Sequence, residues 1–187
     1  MKKIKDKLKL EVILENIVKS FEGILDKNAF KKSDKTKTIK VTQISKYYFP
    51  FSGGLEAVAK QISDVLPKNK FQVEIISCSI NNQSSLEIID NIPVERCASL
   101  FEFKSNPISL DFMWKLSKVK TDILNYHHPF IFAAIAHFIA RPKYKKLVVT
   151  YHGDVIRQKY IIKLFNPVYN KFLEKADKIF VLSSEGI

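Results

Sequence analysis

Glycine is scarce in this chain, with five in 187 residues. Glycine-dense phosphate loops are therefore excluded: neither a full G-x-G-x-x-G nor a Walker GK[ST] is present. Cysteine is scarcer still. The only two, Cys78 and Cys97, have no metal-ligand spacing and read as structural thiols in a reducing compartment. Apolar runs are short, none approaching the ~18–20 residues that span a bilayer, and the N-terminus lacks a signal-peptide core. The expected location is the cytoplasm, peripherally at the inner face of the membrane. Acidic residues are outnumbered, 19 Asp and Glu against 31 Lys and Arg, which leaves a net charge of +12. Such a balance suits phosphorylated ligands or an anionic membrane surface. Because the lysines are dispersed, neither packed into a recognition helix nor interleaved with stacking aromatics, no nucleic acid partner is expected.

The hydrophobic content of 46% and charged content of 27% are those of a soluble globular protein. Residues 3–26 have helical periodicity, with Ile4, Leu8, Val12, Ile13, Ile17 and Phe21 on one face. That face would either pack on the body of the protein or lie on a membrane, and Glu11, Glu15 and Glu22 favour the first. A polar, lysine-rich connector, NAFKKSDKTKT, leads to a compact domain beginning near Ile39. The expected division is thus a helix and linker over 1–38 and a domain over 39–187.

The segment Ile39–Lys60 organises that domain. IKVTQIS is β-branched and largely apolar, as a strand covered on both faces should be. Helical spacing begins at Leu55 and runs to Leu66, with Ser52-Gly53-Gly54 between strand and helix. Two residues without Cβ let backbone approach a ligand, and the helix start offers free N–H groups to phosphate. Equally, the pair suits a tight turn with no ligand.

Further strands are expected at 71–79, at 121–126 ending in His127-His128-Pro129, at 147–151 ending in His152-Gly153-Asp154, and at 178–183. Residues 86–99 read as a hairpin reversing near Asn91, and 105–107 as a loop. Helices are expected over 110–119, 130–140 and 155–175, the last interrupted by Pro167. This alternation argues for an α/β fold, a Rossmann-like, doubly wound and mostly parallel sheet. Ligands of such sheets bind beyond the carboxyl ends of the strands. Three of the four histidines, His127, His128 and His152, fall there, together with Gly53, Gly54 and Asp154. His137, within an apolar helix, reads as a packing or surface histidine.

Four segments recur together in one family: F-x-x-S-G-G-L-E-x-V-A after the first strand, H-x-P after a middle strand, V-x-x-Y-H-G-D-x-x-R-Q-K after the next, and the terminal K-A-D-K-I-F-V-L-S-S. From Ile39 onward the chain resembles the N-terminal, acceptor-side domain of family 4 glycosyltransferases. Those are GT-B enzymes, in which two Rossmann-like domains face a cleft. The resemblance implies metal-free transfer of a sugar, with retention at the anomeric carbon. The donor would be a nucleotide-diphosphate sugar and the acceptor a glycan or lipid-linked hydroxyl, in polysaccharide or glycolipid biosynthesis. Carried onto this chain, Gly53 and Gly54 would approach the donor diphosphate through backbone N–H groups, and Glu56 would brace the helix start. His152 matches the histidine beside the reacting sugar, where it would position a hydroxyl or act on a proton. Asp154 would orient an acceptor hydroxyl or fix the loop, and Arg157 would serve as an ion-pair partner. His127 would have a positioning role, and the loop carrying Tyr48 would lie on the acceptor side.

In the family a second Rossmann domain grips the nucleotide and carries a glutamate pair that has no counterpart in this sequence. A cleft with one wall does not preorganise a transition state, so the chain alone is expected to be inactive or nearly so, and to need a separate or missing C-terminal domain. Two alternatives stand beside this reading. One is a non-catalytic membrane-surface or scaffolding module that uses the N-terminal helix. The other is a different nucleotide-sugar enzyme, such as an epimerase.

Overall fold

The structure is a computed structural model that describes residues 2–24, 38–51, 53–103, 105–152 and 159–182. Its centre is a seven-stranded sheet in the order β3-β4-β2-β1-β7-β8-β9. The strands are β1 (Ile39–Ile44), β2 (Phe71–Cys78), β3 (Ser85–Ile89), β4 (Ile92–Cys97), β7 (Lys120–His128), β8 (Lys143–Tyr151) and β9 (Lys178–Val181). Every pairing is parallel except β3 with β4. Numbered in chain order, the six parallel strands run 3-2-1-4-5-6, so the order reverses between β1 and β7. That is the doubly wound arrangement, and the crevice at the reversal is where such sheets bind ligands.

Helices cover both faces. On one lie α1 (Lys2–Ile24) and α2 (Gly54–Val65); on the other lie α3 (Leu110–Lys118), α4 (Ile131–Ala140) and α5 (Lys159–Glu174). Strict alternation along the central strands assigns each residue to a face. Val41, Ile123 and Val148 join the α1–α2 core, whereas Ile44, Leu124, Tyr126, Leu147 and Val149 join the α3–α5 core. A strand buried on both sides loses its polar–apolar alternation, which is why IKVTQI reads as a nearly continuous run.

The C-terminal half of α1 packs on the body of the domain. Leu14, Ile17 and Phe21 are buried in the α1–α2 core, the Phe21 ring meets Phe180 of β9, and Lys70 pairs with Glu22 at 2.8 Å. No helix among the described residues is long and apolar enough to cross a membrane. The connector after α1 lies outside the described residues up to position 37.

Most element boundaries match expectation, with three informative differences. β7 continues through His127 and His128, and β8 begins at Lys143, its lysine-rich start paired with β7 while Lys145 and Lys146 form ion pairs with Asp122 and Asp177. The loop expected at 105–107 instead enters a small antiparallel pair of strands, β5 (Phe101–Phe103) and β6 (Asn106–Ile108). The helix expected from 155 is described from Lys159 and continues through Pro167.

Candidate active site

Above Val41 and Ile123, the α2 face of the sheet changes from apolar to polar. Gln43 on β1 lies opposite Asn125 on β7, and His127 on β7 lies opposite Thr150 on β8. All four side chains are fully buried, as is Ser63 on α2. Buried polar groups are tolerated when they are hydrogen-bonded to one another, and these are. Gln43 Nε2 donates to Ser63 Oγ at 2.5 Å, and Ser63 Oγ donates to the Ala59 carbonyl at 2.8 Å. Gln43 Oε1 lies 2.6 Å from His127 Nε2 and 3.3 Å from Asn125 Nδ2. Thr150 Oγ1 donates to Asn125 Oδ1 at 3.0 Å. His127 Nδ1 lies 3.1 Å from Nε2 of His152, the residue that follows β8 and whose backbone N–H donates to the His128 carbonyl at 2.9 Å. Sequence reasoning placed His127 and His152 at the same sheet edge, and the structure brings their rings into contact. Ser45 and Ser77, one step further along the same face, have buried hydroxyls with no partner among the described residues.

The imidazoles are neutral. Burial holds His127 well below the ordinary histidine range, helped by neighbouring His152 and His128, and burial alone lowers His152 to about 4. His128 points to the opposite face, where its ring packs on Tyr126, Tyr169 and Phe172; burial, assisted by His152, lowers it to about 3. Of the two readings of His137, packing or surface, the structure gives the first: it is buried and held between Tyr126 Oη at 3.0 Å and Tyr144 Oη at 3.2 Å.

At the start of α2, Gly53 is the N-cap in extended conformation, without a side-chain cap. Glu56 folds back and is buried, its carboxylate lying where a Cβ on Gly53 would sit. An acidic group in the first turn complements the helix dipole, so Glu56 braces the helix start. Gly54 is different: a Cβ there would meet nothing within 4 Å, so packing does not demand glycine at this position.

The loop between β1 and α2 is anchored on several sides. Tyr47 Oη donates to Glu102 Oε2 of the small hairpin at 2.7 Å, Arg96 Nη1 donates to the Tyr48 carbonyl at 3.2 Å, and Arg96 Nη2 donates to the Phe49 carbonyl. Tyr48, expected on the acceptor side, is instead a core residue at 1% exposure, with its phenol bonded to Ser63. That ring packs in the α1–α2 core, and the loop's exposed rings are Phe49 and Phe51. Phe101 and Phe103 of the hairpin are exposed as well. Asp154 and Arg157 lie outside the described residues.

Sequence reasoning missed Gln43, Ser63, Asn125 and Thr150. The available signal was a Gln and an Asn inside two strands that are otherwise core-forming, since a buried polar residue carries more information than a buried apolar one.

The doubly wound sheet defines a Rossmann-like α/β domain, and comparison with known proteins gives the family. Glycosyltransferase Family 4 matches residues 52–185, and the chain belongs to that family. It is 32% identical to O-antigen chain mannosyltransferase C of Escherichia coli over 148 residues, 78% of this chain and 40% of that protein. It is 28% identical to D-rhamnosyltransferase WbpZ of Pseudomonas aeruginosa over 133 residues, 70% of this chain and 35% of that protein. The chain therefore aligns with less than half the length of either relative.

Proposed function

We propose that this chain is the acceptor-side domain of a retaining GT-B glycosyltransferase, which moves a sugar from a nucleotide-diphosphate donor to a glycan or lipid-linked acceptor. The observation that carries this reading is the His127–His152 pair at the carboxyl edge of the sheet, beside the β1/β7 switch point and on the α2 face. His152 is neutral near pH 7, so it can accept a hydrogen bond from a sugar or acceptor hydroxyl, or take a proton. Gly54, with open space at its Cβ position, is the point of closest backbone approach for the donor diphosphate. Gly53 contributes its N–H, while Glu56 occupies the space a side chain would fill. Asp154 and Arg157 belong to the same motif as His152 and serve acceptor orientation and loop anchoring. The exposed rings of Phe49 and Phe51 suit the face of a sugar or the chain of a lipid carrier.

The two relatives are named for mannose and D-rhamnose, which share configuration at C2 to C5 and differ only at C6. A donor of that configuration is the first to try. No metal is assigned to the reaction, and the remaining donor contacts belong to a second domain of the GT-B type. The setting is assembly of a surface polysaccharide such as O-antigen, with the protein peripheral at the inner membrane face. Residues 14, 17 and 21 of α1 are committed to the core, which removes them from any membrane or scaffolding contact.

The test is sugar transfer with a donor domain supplied. Nucleotide-diphosphate mannose and lipid-linked glycan acceptors are offered, and products are read by mass spectrometry and by the anomeric configuration in NMR. His152→Ala is expected to lose on the order of 100-fold or more in transfer rate with its fold intact. Full activity in that variant removes the assignment of His152, and an inverted product removes retention.

A further inference from the structure

The hydrogen bonds that join α2 to His152 have only one consistent direction. Ser63 Oγ lies 2.8 Å from the Ala59 carbonyl, and a carbonyl oxygen only accepts, so the single hydroxyl proton of Ser63 is committed there. The Ser63 oxygen can then only accept, and it lies 2.5 Å from the Gln43 amide. Gln43 must therefore turn its NH2 group to Ser63 and its carbonyl oxygen towards β7. Asn125 is fixed in turn by that oxygen, which can only accept from its NH2 group. Its Oδ1 accepts from Thr150 Oγ1 at 3.0 Å, which leaves its NH2 facing Gln43 Oε1 at 3.3 Å.

Gln43 Oε1 is thus an acceptor from two sides, and His127 Nε2, 2.6 Å away, must carry a proton. The neutral imidazole has one N–H, so His127 Nδ1 is bare. The 3.4 Å approach of Asn125 Nδ2 to His127 Nε2 sets two donors side by side, both directed at the Gln43 oxygen. Bare His127 Nδ1 accepts from His152 Nε2 at 3.1 Å, which places the one proton of His152 on Nε2. The remaining nitrogen, His152 Nδ1, keeps its lone pair, and among the described residues it has no hydrogen-bond partner.

We propose that Gln43 and His127 are positioning residues. Together they form a one-way relay, running from the Ala59 carbonyl through Ser63, Gln43 and His127, that locks His152 in the tautomer whose Nδ1 accepts. The use of that lone pair, to receive a hydroxyl of the sugar or acceptor, rests on the transferase reading. The tautomer does not. A histidine free to exchange tautomers presents a donor part of the time, and a donor there repels the hydroxyl proton it should receive. Locking the tautomer from a helix backbone removes that loss, and it explains why a Gln and an Asn occupy the two central strands.

The experiment is long-range 1H–15N NMR of the histidine rings in this chain at pH 7, without sugar. Wild type is expected to show protonated Nε2 and bare Nδ1 for both His127 and His152. Gln43→Met keeps the side-chain length and removes the acceptor. It is expected to move both rings off the single tautomer, with a melting transition confirming the fold. Gln43→Glu retains an acceptor for His127 Nε2 and is expected to preserve the wild-type tautomer of His152. Protonated Nδ1 on His152 in wild type overturns the relay, as does an unchanged His152 in folded Gln43→Met. If Gln43→Met does not fold, wild type and Gln43→Glu decide, and loss of the wild-type His152 tautomer in Gln43→Glu overturns it. All tautomers are read without sugar, so failure of the relay and failure of the transferase reading are separate results. In the transfer assay Gln43→Met is expected to lower kcat about tenfold with little change in KM for the donor, the split expected of a positioning group.

Discussion

At its carboxyl end β7 sends Asn125 and His127 to the α2 face and Tyr126 and His128 to the α4–α5 face. On the second face the rings of Tyr126, His128, His137 and Phe172 meet edge to face or tilted, with centroids 5.0–6.2 Å apart. That face is conventional packing, in which aromatic area is the stabilising quantity. On the first face the side chains are as deeply buried, but the space is filled by an amide, an amide, a hydroxyl and an imidazole. Hydrogen bonds there offset desolvation and add little net stability. One layer therefore holds the sheet together while the other holds a geometry, and the second adjoins the switch point.

Acid should show the largest effect, and it acts on both faces. His128, His137 and His152 have folded values of about 3, about 4 and about 4, below the ordinary 6.5, and His127 is also depressed. Unfolding therefore takes up protons as pH falls through 6.5. Stability is complete above that value and is lost progressively down to about 4, by about 1.4 kcal/mol per pH unit for each histidine that stays neutral when folded. Denaturant titrations from pH 7.5 to 4.5 should show this, and a flat profile would contradict the neutral, buried assignment.

Truncation of the aromatic layer comes next. Phe172→Ala removes a fully buried ring and should cost about 3–5 kcal/mol in chemical denaturation. In the polar layer, Thr150→Val retains shape but leaves Asn125 Oδ1 without its donor, for about 1–3 kcal/mol. If Thr150→Val were neutral, the polar layer would not depend on satisfied hydrogen bonds and the contrast between faces would weaken. Gly54→Ala should have the smallest effect on stability and the opposite sign. Open space at that position and the smaller entropy of alanine when unfolded should stabilise by about 0.4–1 kcal/mol. If a donor diphosphate approaches this backbone, the same change should weaken donor binding, so a gain in melting temperature accompanied by a loss of affinity is the informative pair.

The fold was legible because strands and helices alternate with clear periodicity, and the site edge because His127, His128 and His152 fall at strand ends. What escaped has physical causes. A strand buried on both faces shows no alternation, so Gln43 and Asn125 stand in runs where period-two reasoning has no purchase. Their role emerges only when register puts them opposite one another. The loop carrying Tyr48 is expected on the acceptor side by resemblance, yet the Tyr48 ring packs in the α1–α2 core, which a loop's sequence does not announce. The small hairpin at 101–108 is three residues to a strand, too short for periodicity to register. Glu56 folds back over the start of α2, its carboxylate filling the space beside Gly53.

The measurement that bears most directly on the central claim is the rate of sugar transfer by His152→Ala, with a donor domain present and the folded fraction matched to wild type. A loss on the order of 100-fold or more, alongside Phe172→Leu that loses stability but not rate per folded molecule, is the predicted result. Equal transfer rates in wild type and His152→Ala would contradict it: the polar layer would then be a feature of the core, with no part in presenting His152 to a sugar.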